Sequence, residues 1–219
     1  MNFKEVGEKI KSGFKKFWFL LWKDNSIKGW IFSLIFLFIF IKFIFFPFLN
    51  FATGTSLPLA IVESCSMYHQ GNFFSDFNTW FNRHQPKYAL IDLNKTEFSS
   101  FSFKDGFTKG DILFIIKANP DKLKIGDVIL FNSGTSSTPV IHRIINITEQ
   151  NGERIFSTMG DNNNAQLTPG NNPSGIDERT IKSSQLVGKA VFRLVPELGW
   201  MKLIFFESSS SNPGFCKEN

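Results

Sequence analysis

Two serine hydroxyls, a thiol and an imidazole crowd into one short stretch, Ala60-Ile-Val-Glu-Ser-Cys-Ser-Met-Tyr-His69, just past a long apolar run. A serine hydroxyl is a weak nucleophile at neutral pH and attacks a carbonyl only when a base takes its proton. Imidazole suits that task because its pKa lies near the working pH. A carboxylate on the other ring nitrogen then fixes the tautomer and stabilises the imidazolium. The chain has three histidines: His69, His84 and His142. His142, from a distant segment, is a candidate base, and His69, so close to Ser66 in sequence, is its rival.

The elements that must bring such groups together read as β. Leu59 to Val62 is a brief apolar strand, and a serine at its end would be lifted out of the sheet by the next turn. Ile112–Lys117, Asp127–Phe131, Val140–Ile147, Glu153–Met159 and Leu186–Leu194 are further strands. The Gly-Asp pairs at 110–111 and 126–127 stand just ahead of two of them and read as turns whose aspartates bond their own backbone. Asn151-Gly152 is a strong two-residue hairpin signal. If it is the turn, Gln150 faces Glu153 and the ladder sets His142 opposite Asp161. Cross-strand neighbours have Cβ atoms about 4.5–5.5 Å apart, a spacing that suits an imidazole donating to a carboxylate. Between residues 70 and 109 the chain is aromatic and polar. The spacing of Phe73, Phe74, Phe77, Trp80 and Phe81 predicts one short helix around Asp76–Asn82, then a loop, with the aromatic face packed as core.

Ahead of the strands lies a membrane-type segment. Phe14, Phe17, Trp18, Leu21 and Trp22 share one helical face, with Lys11, Lys15 and Lys16 largely off it, which reads as a basic helix lying flat among headgroups. Residues 29–50 supply the roughly 20 apolar residues that cross a hydrocarbon core. Lys42 interrupts them and is read as snorkelling. Pro47 is expected to mark the fraying end of the helix. Seven lysines precede the span, so the positive-inside bias keeps the N-terminus cytoplasmic and exports the chain beyond Leu49. The expected organisation is a basic amphipathic segment (1–28), a transmembrane signal anchor (29–50), an exported mainly-β domain (51–206) and a disordered tail (207–219). Gly199–Phe206 is apolar but too short to span.

Composition narrows the functional classes. The net charge of +5 does not argue for nucleic acid, because much of the lysine excess precedes the span. Two cysteines, Cys65 and Cys216, make neither a disulfide framework nor a four-thiolate metal site, and read as free thiols. No repeat, phosphate-binding glycine loop or metal-ligand cluster is present, so no cofactor is expected. A lipid-ester hydrolase would carry Gly-x-Ser-x-Gly, and Ser64-Cys-Ser-Met-Tyr68 lacks both glycines. The non-enzymatic alternative is a membrane-tethered β domain that binds a translocation or envelope partner.

The order of motifs resembles the type I signal peptidases, in particular their archaeal and endoplasmic-reticulum branch. The resemblance rests on Glu63-Ser-Cys-Ser-Met-Tyr-His69 after an anchor helix, Lys109-Gly-Asp-Ile-Leu113 with Ile125-Gly-Asp-Val-Ile129, Val140-Ile-His-Arg-Ile144, and Ser157-Thr-Met-Gly-Asp-Asn-Asn163. Val187-Gly-Lys-Ala-Val191 and Leu198-Gly-Trp200 resemble the closing strand. Histidine at 142, where the bacterial branch has lysine, selects the branch. The resemblance implies a signal-peptidase-like β-barrel or β-sheet catalytic domain behind one transmembrane helix. It implies Ser66 as nucleophile, His142 as base and Asp161 as orienting acid, with Asp177 the second acid on offer. The Ser66 N–H and the Ser64 hydroxyl are the oxyanion donors expected from adjacency. The implied partners are signal-peptide-bearing preproteins, the lipid bilayer and the Sec translocon. An extended substrate would pair along Leu59, Ala60, Ile61 and Val62. Two departures stand out: Cys65 replaces the usual glycine before the serine, and the 70–109 segment is longer than the compact family core.

Overall fold

A computed structural model describes residues 3–71, 76–135, 138–199, 201, 203 and 216–218. The chain divides into two compact units, Met1–Ala52 and Thr53–Asn219.

In the first unit, α1 (Phe3–Trp22) and α2 (Ile27–Phe40) are joined by a tight turn. Ser26 caps α2, its hydroxyl accepting from the Gly29 N–H. The two helices touch: Phe17 meets Phe32 and Phe36 edge-on, with ring centroids 5.8 and 5.2 Å apart. The Ser33 hydroxyl donates to the Leu21 carbonyl at 3.0 Å. Part of the aromatic face expected among headgroups is therefore turned to α2, while Phe14, Trp18 and Trp22 stay exposed.

Pro47 does not end the helix. A π-helical turn, Ile41–Phe45, continues α2 and leads into α3 (Phe46–Thr53). Proline lacks the N–H and crowds the carbonyl four residues back, which here belongs to Phe43 in the widened turn; π-bulges absorb such a mismatch. The result is an apolar helix of 27 residues, Ile27–Thr53, long and apolar enough to cross a membrane. Lys42 lies over the Phe38 and Phe43 rings, 5.6 and 5.5 Å from their centroids.

The second unit is one six-stranded antiparallel sheet curled into a half-barrel. Its strands are β1 (Leu59–Ile61), β2 (Ile112–Ile116), β3 (Val128–Phe131), β4 (Val140–Gln150), β5 (Glu153–Met159) and β6 (Leu186–Val195). Their order across the sheet is β1-β2-β6-β3-β4-β5. Each strand stands where apolar residues alternate or run together, so the mainly-β expectation holds. Asp111 and Asp127 do bond their own turns, accepting from the N–H groups of Thr108 and Lys124. Alternate residues of β1, β2, β3 and β6 bury one core around Val62, Met67, Leu113, Ile115 and Leu130. A second core, around Phe131, Ile144, Phe156 and Ile181, fills the space beside β4 and β5.

Among the described residues, the segment before β2 holds two helices where one is expected. α4 (Phe77–Ala89) runs well past Asn82 and contains Pro86. α5 (Lys95–Ser99) starts with a capping box between Asn94 and Glu97. Trp80, Phe81, Tyr88 and Phe98 are fully buried and pack with Ile145 and Met159. Each such burial is worth about 1.5–3 kcal/mol, so the aromatic face is core, as expected. Phe73 and Phe74 lie outside the described residues. In the apolar C-terminal stretch, Leu203 is buried, and Trp200, Lys202 and residues 204–206 are outside the described residues.

Candidate active site

Ser66 sits in the turn that closes β1. The Val62 N–H extends the pairing to Asp111 O, and Tyr68 N–H closes the turn on Cys65 O at 3.1 Å. Met67 drives its side chain into the core, which turns its neighbour Ser66 outward and leaves it half-buried. The Ser66 Oγ lies 3.1 Å from the Ser64 Oγ. Ser64, Ser66 and His142 line one cavity of about 550 Å³, whose walls include Leu59, Ala60, Ile61 and Val62. β1 is an edge of the sheet.

His142 comes from β4, almost wholly buried. Its Nδ1 hydrogen-bonds the carboxylate of Glu178. With Nδ1–H donating to Glu178, Nε2 carries the lone pair and points toward Gly160. A methyl group at Gly160 would lie 2.9 Å from His142 Nε2 and 2.7 Å from the Ser66 carbonyl oxygen. Glycine is required at this point because the His142 ring and the Ser66 turn both close on it.

The acid on His142 is thus not the one the hairpin register predicts. Asn151 and Gly152 do form the turn, both with positive φ, and Gln150 does face Glu153. The ladder holds as far as Asn146↔Ser157. A bulge then shifts it by one, giving Ile144↔Thr158 and Arg143↔Met159. The one-residue slip moves Asp161 out of line with His142.

Asp161 instead accepts both arms of Arg143, from Nε at 2.9 Å and Nη2 at 2.7 Å. It also accepts from His69 Nε2 at 3.1 Å. The other Arg143 donors reach the carbonyls of Ser102, Gly126 and Phe103 at 2.8–2.9 Å, so all five N–H groups are used. Burial alone would push the Asp161 carboxyl up; the charge and hydrogen bonds of Arg143 outweigh it and hold the group well below the usual carboxylate range. Burial pushes His69 below its ordinary value, against the pull of Asp161. His69 is then a neutral Nε2–H donor, stacked on Trp80 at 3.4 Å, with its Nδ1 buried and unpartnered. It is committed to this network and is not placed as the base for Ser66.

Asp177 is also elsewhere. It pairs with Arg179 at 2.7 Å on the surface, whose hydrogen bonds bring its pKa down to about 2. The residue beside it turns inward. The Thr158 N–H donates to Glu178 O, and Phe156 and Ile181 exchange backbone bonds, so residues 178–181 run along β5. Glu178 is fully buried; its carboxylate also accepts from the Thr158 hydroxyl at 2.9 Å and the Leu167 N–H at 2.7 Å. A signal for it existed. Ile176, Glu178 and the inward face of an extended segment share a period of two, which sets Asp177 and Arg179 outward.

The cysteines are not free. Cys65 and Cys216 form a disulfide, with Cα atoms 5.3 Å apart. Residues 216–218 of the tail are therefore anchored, contrary to the expected disorder; residues 207–215 and 219 are outside the described residues. Among the described residues no cluster of histidine, cysteine or carboxylate side chains could hold a metal ion.

No protein-family model matches the chain. Curated relatives do. Human signal peptidase complex catalytic subunit SEC11C is 35% identical over 65 residues, which cover 29% of this chain and 34% of that protein. SEC11 of Eremothecium gossypii is 28% identical over 138 residues, 62% of this chain and 75% of that protein. SEC11 of Candida tropicalis is 29% identical over 82 residues, 37% and 44%. The chain thus spans about a third of the length of the mammalian relatives it matches. Over these stretches the chain is similar to SEC11 catalytic subunits of the signal peptidase complex, and the motif order and the half-barrel agree with that similarity.

Proposed function

We propose that this chain is a membrane-anchored serine endopeptidase that removes N-terminal signal peptides from preproteins. Ser66 is the nucleophile, His142 the general base and Glu178 the carboxylate that orients it. The observation that carries this reading is that His142, backed by the buried Glu178 carboxylate, lines the same cavity as Ser66. Attack requires the Ser66 hydroxyl to turn from Ser64 to His142 Nε2. The proton passes to Nε2 as the carbonyl carbon is attacked, and Glu178 stabilises the imidazolium that results. It then returns to the leaving amine, and water attacks the acyl-enzyme by the same base. The Ser64 hydroxyl and Ser66 N–H are the donors assigned to the oxyanion in this reading.

The substrate lies in extended form along the free edge of β1, its small residues before the scissile bond filling the cavity beside Ala60 and Val62. Ile27–Thr53 crosses the bilayer and the lysine-rich N-terminus stays in the cytoplasm, so the catalytic domain meets preproteins where their leaders emerge. Such tethering raises the effective concentration of enzyme and substrate without a new contact. The relatives are named as subunits of a complex, and accessory subunits and the Sec translocon are the partners expected here. In detergent or vesicles, Ser66→Ala should abolish cleavage of a preprotein that the wild-type chain processes. Undiminished processing by Ser66→Ala would end the peptidase reading.

A further inference from the structure

Of the three described residues at the end of the chain, two are fastened to parts that hold the Ser66 turn and the third to α4. Cys216 is bonded to Cys65, the residue immediately before Ser66. The Lys217 carbonyl accepts from the Asn162 side-chain amide at 2.9 Å. The other proton of that amide goes to the Cys65 carbonyl at 3.0 Å, and the Asn162 N–H to the Ser66 carbonyl at 2.7 Å. The Glu218 carboxylate lies 2.8 Å from Arg83 Nη1 and 3.7 Å from His84 Nδ1 on α4. Asn162 thus clasps the backbone on both sides of Ser66 while holding the tail.

We propose that residues 216–218 are a disulfide-tied strap that positions Ser66, and that the nucleophile reaches working geometry only once Cys65 and Cys216 are oxidised. This rests on the peptidase reading. The carbonyls of Cys65 and Ser66 are oriented by one residue, Asn162, which is itself held from the far side by Lys217. Reduction detaches Cys216, leaves the strap only polar contacts, and removes the covalent stop on the turn at the residue adjoining the nucleophile. Within the turn, Tyr68 N–H bonds Cys65 O and the Ser64 and Ser66 hydroxyls meet at 3.1 Å, contacts that a covalent tie reinforces. Displacement of a reacting atom by about 1 Å costs on the order of 100-fold in rate. The cysteines stay reduced in the cytoplasm and pair in exported compartments, so the strap would keep the chain slow until its domain has crossed the membrane. Bond formation is balanced by exchange with a small-molecule or protein disulfide: the two protein thiols give it two electrons and two protons, it leaves as two thiols, and a dithiol such as dithiothreitol runs the same exchange in reverse.

The test compares purified full-length protein in detergent before and after dithiothreitol, with thiol alkylation to verify reduction, beside Cys216→Ser and Ser66→Ala. Reduction is expected to lower kcat on a signal-peptide substrate about 10- to 100-fold, with KM within about twofold and the acid limb of the pH profile unmoved. Cys216→Ser should show the same low kcat and no response to dithiothreitol. An unchanged kcat in the reduced protein, with Ser66→Ala inactive, overturns the strap and leaves the peptidase reading intact. A fall in kcat accompanied by faster amide exchange throughout the sheet also overturns it, because the bond would then serve only stability. If neither redox form cleaves, the peptidase reading has failed, and the strap is judged by exchange alone. Loss of protection confined to 64–68 and 160–163 supports it; unchanged protection there refutes it.

Discussion

Replacing Glu178 by glutamine separates the acid that the structure sets on His142 from Asp161, the acid that the sequence suggests. The buried carboxylate accepts from His142 Nδ1, the Thr158 hydroxyl and the Leu167 N–H. A carboxamide has one accepting oxygen and one donating nitrogen. If its oxygen stays with His142 and Thr158, its NH2 opposes the Leu167 N–H, and an unsatisfied buried donor costs about 1–3 kcal/mol of stability. If its NH2 faces His142, Nδ1 becomes the acceptor and the proton moves to Nε2, where it blocks general-base action. Either way the imidazolium loses its counter-charge. The equivalent carboxylate-to-carboxamide change in a Ser-His-Asp triad lowers kcat about 10⁴-fold, and about 10³–10⁴-fold is expected here. That corresponds to about 4–5.5 kcal/mol of transition-state stabilisation at 1.36 kcal/mol per decade. Asp161→Asn should behave differently. It leaves the buried Arg143 charge unpaired, a loss of about 3–5 kcal/mol in stability, and lowers activity through unfolding rather than through the imidazole. The assay is single-turnover cleavage of a preprotein alongside thermal unfolding of each variant. If Glu178→Gln stays within about tenfold of wild type while well-folded Asp161→Asn is inactive, the orienting role belongs to Asp161 and the assignment of Glu178 is wrong.

Three further outcomes are expected. Gly160→Ala places a methyl group 2.9 Å from His142 Nε2 and 2.7 Å from Ser66 O, and should cut kcat on the order of 100-fold; near-normal turnover would mean that base and nucleophile turn do not meet there. Ser64→Ala should lower kcat about 10²-fold with little change in KM if its hydroxyl serves the oxyanion, and a pure KM effect would remove that role. Stability should fall as pH drops below about 6.5, because His69 protonates in the unfolded chain near its ordinary 6.5 while burial keeps it neutral in the folded state. The unfolded state then binds more protons, and the loss grows until pH reaches the lowered folded pKa. His69→Gln should flatten the melting temperature between pH 5 and 6.5, and an unchanged slope would assign it to other groups.

The strands are legible in the sequence because their apolar residues alternate or run together between Gly, Pro and Asn signals, and the Asn151-Gly152 turn falls where its residue types require. Effects of tertiary packing are what the sequence conceals. The bulge near Ile145 exists because that side chain is drawn into the aromatic cluster of α4 and α5, and no local propensity announces it; it moves Asp161 off His142. Glu178 alternates with Ile176, but a two-position alternation inside a Gly- and Pro-rich loop is too short to single it out from its neighbour Asp177. α4 continues beyond Asn82 because Tyr88 reaches the same buried cluster as Trp80 and Phe81, a reward that local spacing does not reveal. The capping box of α5 at Asn94 and Glu97, by contrast, is readable from residue types alone. The pairing of Cys65 with Cys216 depends on contacts between positions 151 residues apart.

Arg143 and Asp161 are enclosed in a way that bears on solution conditions. The guanidinium lies 4.7 Å from the centre of the Phe98 ring, and both charged side chains are sealed from solvent. Mobile ions screen exposed charges over about 8–10 Å at moderate ionic strength, but they have no route to a pair roofed by aromatic rings. This junction between the nucleophile-side loop and the sheet should therefore be indifferent to salt, so the fold should tolerate brine that loosens surface pairs such as Asp177–Arg179.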